Sequence, residues 1–389
     1  MPTLIVPGVG GVGPHLDSMA SVGNLATSFL LFLMASLAGA QQGSTSAAQF
    51  FNLANLHSNY GRYSEAESAL NQALRVCEEA GDDAMAARAW NALGELNRMR
   101  GRYAEAEPAY TRAKVILESN RGDPSDLPAV LNNLGAVYRL TGHYSDAEKA
   151  IRSALAMWES NSGKGHLTTA IALNNLGQLR LAQGRYAAGD AFLLGAQRVL
   201  EHAPGSDHPD LGGILVNRGV ILSRLRRFDE AGQLLERALV ILEKASLPQA
   251  VRLVSCLNTL GLVDIGRHRF ADAESYLNRA AALLETALSP DHPDLASVWT
   301  NLGALYTAQA RYGQAESVLQ KALAHEVRVL GPDHAANFWT LKEYANLLRL
   351  TKRKAEAGRM ELRAREVASL NEQLSFLPSV VDATELKKK

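Results

Sequence analysis

The chain has 389 residues, forty of them basic and forty acidic, for a formal net charge of zero, and it carries two cysteines. That balance argues against a nucleic-acid partner, because gripping phosphates takes an excess of Lys and Arg. The two cysteines, Cys77 and Cys256, lie far apart in the chain and show no zinc-ligand spacing.

The first forty residues differ from the rest. No Lys or Arg occurs before Arg62, and the sixteen residues from Leu25 to Ala40 are an apolar run broken by Thr27, Ser28, Ser36 and Gly39. The run ends in Ala38-Gly39-Ala40, which reads as a secretory signal with a small-residue cleavage site over residues 1–40. It falls short of the roughly twenty residues that a membrane span needs. A basic leading region is missing, and a start at Met19 would give a 22-residue signal. Residues 41–46 form a polar linker. The expected location is exported, periplasmic or secreted, without a stable membrane anchor after cleavage; the cytoplasm is the alternative if the segment is not a signal.

From residue 47 to 369 the chain repeats. An aromatic or basic anchor stands at Tyr63, Tyr103, Tyr144, Tyr186, Phe228, Phe270, Tyr312 and Lys354, at spacings of 40, 41 and then 42 five times. Three residues after it come Ala66, Ala106, Ala147, Gly189, Ala231, Ala273, Ala315 and Ala357, and ten after it Ala73, Ala113, Ala154, Ala196, Ala238, Ala280, Ala322 and Ala364. Nine before it lie Ala54, Gly94, Gly135, Gly177, Gly219, Gly261, Gly303 and Ala345. Such small residues let two helices approach closely. Thirteen before it the slot is bulky: Phe50, Trp90, Leu131, Leu173, Leu215, Leu257, Trp299 and Leu341. Each unit is predicted to be an antiparallel helical hairpin, its bulky residue filling the space between pairs. Cys77 and Cys256 align with apolar positions of other units and are expected to be buried free thiols.

This small and large pattern, with phrases such as Leu131-Asn132-Asn133-Leu134-Gly135 and Asp207-His208-Pro209-Asp210, resembles the tetratricopeptide repeat of the kinesin light chain type, also common in bacterial proteins. The resemblance implies an all-α, right-handed α-solenoid of about eight hairpins, with the first helix of each lining a concave ligand groove. Kinesin light chain repeats bind cargo peptides through comparable Asn positions, so it also implies peptide binding.

Within the first helices, eleven residues before the anchor, lie Asn52, Asn133, Asn175, Asn217 and Asn301, and one residue earlier Asn91, Asn132, Asn174 and Asn258. Asn is a mediocre helix former, so its recurrence in mid-helix needs a reason. Either the amides bridge neighbouring first helices, or they face the groove and pair with the backbone of an extended guest. The Asn52, Asn133, Asn175, Asn217 and Asn301 series is assigned to the groove, and the preceding series to bridging. Arg98 and Arg139 are candidates for attracting an acidic guest. The clamp of chaperone-binding repeats is disfavoured, because the matching sites read Ala129, Ala136, Ile171 and Gln178.

Other apparent signals have structural explanations. Asp207-His208-Pro209-Asp210 and Asp291-His292-Pro293-Asp294 read as helix starts, with the leading Asp accepting from free backbone N–H groups and Pro opening the first turn. Arg121-Gly122-Asp123 is a turn. The eighth unit, with Lys342, Glu343, Lys352, Arg353 and Lys354, reads as a solvent-facing cap. Residues 370–389 are a C-terminal extension and tail. No catalytic motif, cofactor site or metal site is found, so the chain is expected to be a non-enzymatic scaffold for a protein or peptide partner. The alternatives are a regulatory or sensor subunit of a separately encoded enzyme, or a self-associating structural array.

Overall fold

The computed structural model describes residues 47–370 except 60, 120, 163–165, 203–208, 245–249 and 289. The proposed signal, the linker, Asp207, His208 and the tail lie outside the described residues. Among the described residues sixteen α-helices form eight consecutive hairpins: α1 (Ala47–Asn59) with α2 (Tyr63–Ala80), α3 (Asp83–Met99) with α4 (Tyr103–Glu118), α5 (Leu127–Leu140) with α6 (Tyr144–Ser162), and α7 (Leu167–Ala182) with α8 (Tyr186–His202). The series continues with α9 (Pro209–Arg224) and α10 (Phe228–Lys244), α11 (Ala250–Gly266) and α12 (Phe270–Leu283), α13 (Asp294–Ala308) and α14 (Tyr312–Leu330), and α15 (Asn337–Leu350) and α16 (Lys354–Leu370). Each helix packs on its hairpin partner and on the next hairpin, and successive first helices also touch, which is an all-α solenoid.

All eight anchors are the first residue of a second helix. Two residues earlier the backbone turns left-handed in every unit, at Gly61, Gly101, Gly142 and Gly184 and then at Arg226, His268, Ala310 and Lys352. This reverses the chain within three residues, and Gly accommodates it without the Cβ penalty borne by the other four.

The small slots are closed by one specific partner. A β-carbon on Gly135 would stand 2.5 Å from Cγ1 of Ile151, and one on Gly177 2.6 Å from Cγ of Leu193. The same relation joins Gly219 to Leu235, Gly261 to Leu277 and Gly303 to Leu319, so the side chain seven after the anchor rests on the bare backbone nine before it. The alanines three and ten residues after the anchor are buried throughout. Cys77 and Cys256 are buried free thiols, and burial pushes the Cys256 thiol up to about 12.

Neighbouring units are also tied by charge. At five junctions the acid four residues after the anchor pairs with a base of the next unit: Glu67 with Arg100, Glu148 with Arg180 at 2.6 Å, Asp190 with Arg218 at 2.8 Å, Glu274 with Arg311 at 2.7 Å and Glu316 with Arg353 at 2.6 Å. Gly232 holds that position in unit five, and Arg267 lies over it. Among the described residues no helix is long and apolar enough to cross a membrane.

Two expectations need correction. At the start of α13 the capping side chain is His292, whose Nδ1 accepts from the Asp294 N–H at 3.2 Å; Asp291 instead pairs with Arg328 at 2.6 Å. His166 and His334 accept in the same way from Thr168 and Ala336. The imidazole sits one residue closer to the helix, so its ring nitrogen reaches the N–H that the Asp was expected to take. Of the residues assigned to a solvent-facing cap, Glu343 is only 1 % exposed, whereas Lys342, Lys352 and Lys354 are exposed.

Candidate functional site

The concave side is built from the first helices. There the two Asn series prove to be two halves of one device. Asn133 Nδ2 donates to Asn91 Oδ1 at 3.1 Å, Asn175 to Asn132 at 2.8 Å, Asn217 to Asn174 at 2.7 Å, and Asn301 to Asn258 at 2.7 Å. Each rung joins one first helix to the next.

The rung is legible in the sequence once pairs are compared. Wherever a unit has Asn twelve before its anchor, the next has Asn eleven before its own; where the earlier residue is Phe51, Val216 or Thr300, the later one is Ala92, Thr259 or Glu343. Thr259, lacking a partner amide, turns its hydroxyl back to the Ser255 carbonyl at 2.8 Å. Bridging therefore accounts for every Asn of the earlier series and for Asn133, Asn175, Asn217 and Asn301 of the series assigned to the groove, but not for Asn52.

Bridging does not exclude a second role for an amide that also reaches the hollow. A rung uses one N–H of one amide and one lone pair of the other, and a carboxamide offers more of both. A concave cavity of 520 Å³ is lined from units two to six, and Asn133, Asn175 and Asn217 are on its wall, half-buried. Asn301 is fully buried, which takes it out of reach of a guest and corrects its assignment to the groove. Asn52 is exposed on α1, away from this cavity.

Arg98 and Arg139 both line the cavity but differ in their surroundings. Arg98 holds the Glu95 carboxylate with its Nε at 2.8 Å, and Tyr110 donates to the same carboxylate at 2.9 Å. Burial opposes the Arg98 charge, but Glu95 overrides it and raises the guanidinium above its ordinary range. Arg139 has no described carboxylate in ion-pair range, and its Nε is buried without a hydrogen-bond partner. Burial and then the Arg98 charge push Arg139 down to about 10, so it remains a cation at neutral pH. The cavity holds Arg98, Arg139 and Arg252 against Glu95 and Asp210, and Arg252 pairs with Asp210 at 2.5 Å. Arg139 is left as the unmatched charge.

Such a wall can accept and donate hydrogen bonds along an extended backbone and can seat one anionic group. Among the described residues no cluster of His, Cys, Asp or Glu has the geometry to hold a metal ion.

The sequence profile described as tetratricopeptide repeat matches residues 24–119, 126–188, 210–286, 253–325 and 294–369. A comparison with curated proteins finds no match. Among solved structures, the chain is similar to a Rap protein complexed with competence and sporulation factor, with a TM-score of 0.65 at 12% identity over 90% of this chain and 94% of that one. It is also similar to the apo form of RapI, with a TM-score of 0.54 at 16% identity, covering 73% and 99%. BtubC (BKLC) from P. vanneervenii aligns at 19% identity with a TM-score of 0.44, covering 59% and 90%. With repeat profiles covering most of its length, the chain belongs to the tetratricopeptide repeat family; its units of about 42 residues resemble those of the kinesin light chain type.

Proposed function

We propose that this interaction scaffold acts without catalysis, by holding an extended peptide or protein segment along the cavity walled by Asn133, Asn175 and Asn217. Arg98 and Arg139 draw acidic guests, and Arg139 makes the closer contact. The observation that supports this reading is the cavity itself: its amides are pinned by rungs before any guest arrives, so little ordering cost falls on the protein side. Net hydrogen bonds of about 0.5–1.5 kcal/mol each then leave room for micromolar binding. An exported location, with the guest met outside the cytoplasm, belongs to the same proposal.

The test compares two variants that break the same rung. Asn132→Ala and Asn175→Ala each delete the Asn175–Asn132 bond, and both residues line the cavity, but Asn132 is only 3 % exposed whereas Asn175 is half-buried and offers more of its amide to a guest. Both should lose similar stability, about 1–3 kcal/mol for an orphaned buried partner. Peptides selected against the wild-type protein from a library of random, free-ended sequences should bind Asn175→Ala several-fold more weakly than Asn132→Ala. Equal affinities for the two variants would assign the amides to stacking alone.

A further inference from the structure

The stack curls far enough to meet itself. The turn between α3 and α4 at Gly101 lies against the connection between α14 and α15: a β-carbon on Gly101 would stand 3.9 Å from Cδ2 of Leu330 and 4.0 Å from Nε2 of His334. These residues belong to the second unit and to the junction of the seventh and eighth. The first two units also face α13 across the same gap. Burial first and the Asp294 carboxylate second raise the Tyr63 hydroxyl, and Asp294 adds to burial in raising Tyr103 as well.

Both edges of this contact are held in shape by their own units. The Asn337 amide donates to the carbonyls of Gly331 at 2.9 Å and Pro332 at 2.7 Å, and Arg363 reaches Pro332 O at 2.9 Å and the Asp333 carboxylate at 2.6 Å. On the other side, Arg102 N–H donates to Asn97 O at 2.9 Å, and the Arg100 guanidinium is tied to Glu67. The contact is therefore between two pre-shaped edges, and its position follows from the stacking of the units between them.

We propose that the superhelix closes on itself at Gly101 and encircles its guest, so that the partner is a peptide or chain terminus with a free end. An internal loop of a folded protein is bounded at both ends and cannot enter a closed tube sideways; a free end can thread along the axis from either opening. This rests on the groove reading above.

Closure is tested by placing cysteines at the contact, Gly101→Cys with Leu330→Cys, and bridging them with a short bis-maleimide. The native thiols do not compete, since Cys77 and Cys256 are 1 % and 0 % exposed. Intramolecular bridging in the absence of peptide is expected, and a pair that never bridges overturns the closure. A peptide selected from the free-ended library is then offered in two forms, linear and inserted in a surface loop of a folded carrier protein. The linear form should bind bridged and unbridged protein alike, and the loop form at least about tenfold more weakly, corresponding to about 1.4 kcal/mol. Equal binding of the loop form to the bridged protein overturns encirclement while leaving the groove reading intact. If the library yields no binder, both fall together.

Discussion

Glu326 lies in α14 at 2 % exposure, and its protonation state can be argued from counting hydrogens. Its Oε1 is 3.0 Å from the Thr340 hydroxyl, which is 2.7 Å from the Thr300 hydroxyl, which is 2.9 Å from the Ala296 carbonyl. Three contacts need three protons, and the two hydroxyls supply two. The chain is complete only if Glu326 is a neutral acid that donates to Thr340. Desolvation acts in the same direction: it outweighs the pull of a Thr340 hydroxyl donating to an ionised carboxylate and pushes the carboxyl up to about 8 from an ordinary 4.5.

Because the folded-state value lies above the unfolded one, the folded protein holds this proton more tightly. Its stabilisation is complete below about pH 4.5, falls as pH rises, and is fully lost above about pH 8. At about 1.4 kcal/mol per unit, the loss at pH 7 is about 3 kcal/mol. In Glu326→Gln an amide supplies the third proton at every pH. Urea unfolding followed by circular dichroism from about pH 5 to pH 8 should therefore show the variant gaining on the wild type by about 1.4 kcal/mol per pH unit, then levelling. A stability difference that does not change with pH would mean that Glu326 is ionised in the folded protein, and would refute the three-proton chain.

Gly135→Ala should destabilise the third hairpin by about 1–3 kcal/mol, measured by thermal melting, because its β-carbon meets Ile151 at 2.5 Å and the Ala147 carbonyl at 3.1 Å. Ala310→Gly should raise the melting temperature, relieving a left-handed residue at φ 58° by about 1 kcal/mol with no buried side chain lost. Intact mass measurement of protein expressed with its full leader should find the mature amino terminus at Gln41 if residues 1–40 are a signal, and an unprocessed terminus would refute it.

Much of this architecture is readable before any coordinates. The eight anchors mark the first residue of every second helix, and the small slots give the hairpin and its close approach, because both are set by contacts within one unit and recur with its period. The amide rungs are a different case. Their pairing is visible as covariation between adjacent units, but each Asn read by itself is consistent with facing the groove or a neighbour.

What only the tertiary structure decides depends on how small rotations between units accumulate. That sum turns the half-buried Asn133, Asn175 and Asn217 toward a cavity while burying the equivalent Asn301, and it brings Gly101 against Leu330 across more than two hundred residues. It also buries Glu343, which the sequence alone places in a solvent-facing cap. No single repeat encodes curvature, since a change of a few degrees at each junction leaves every local pattern intact and moves the ends of the stack by many ångströms.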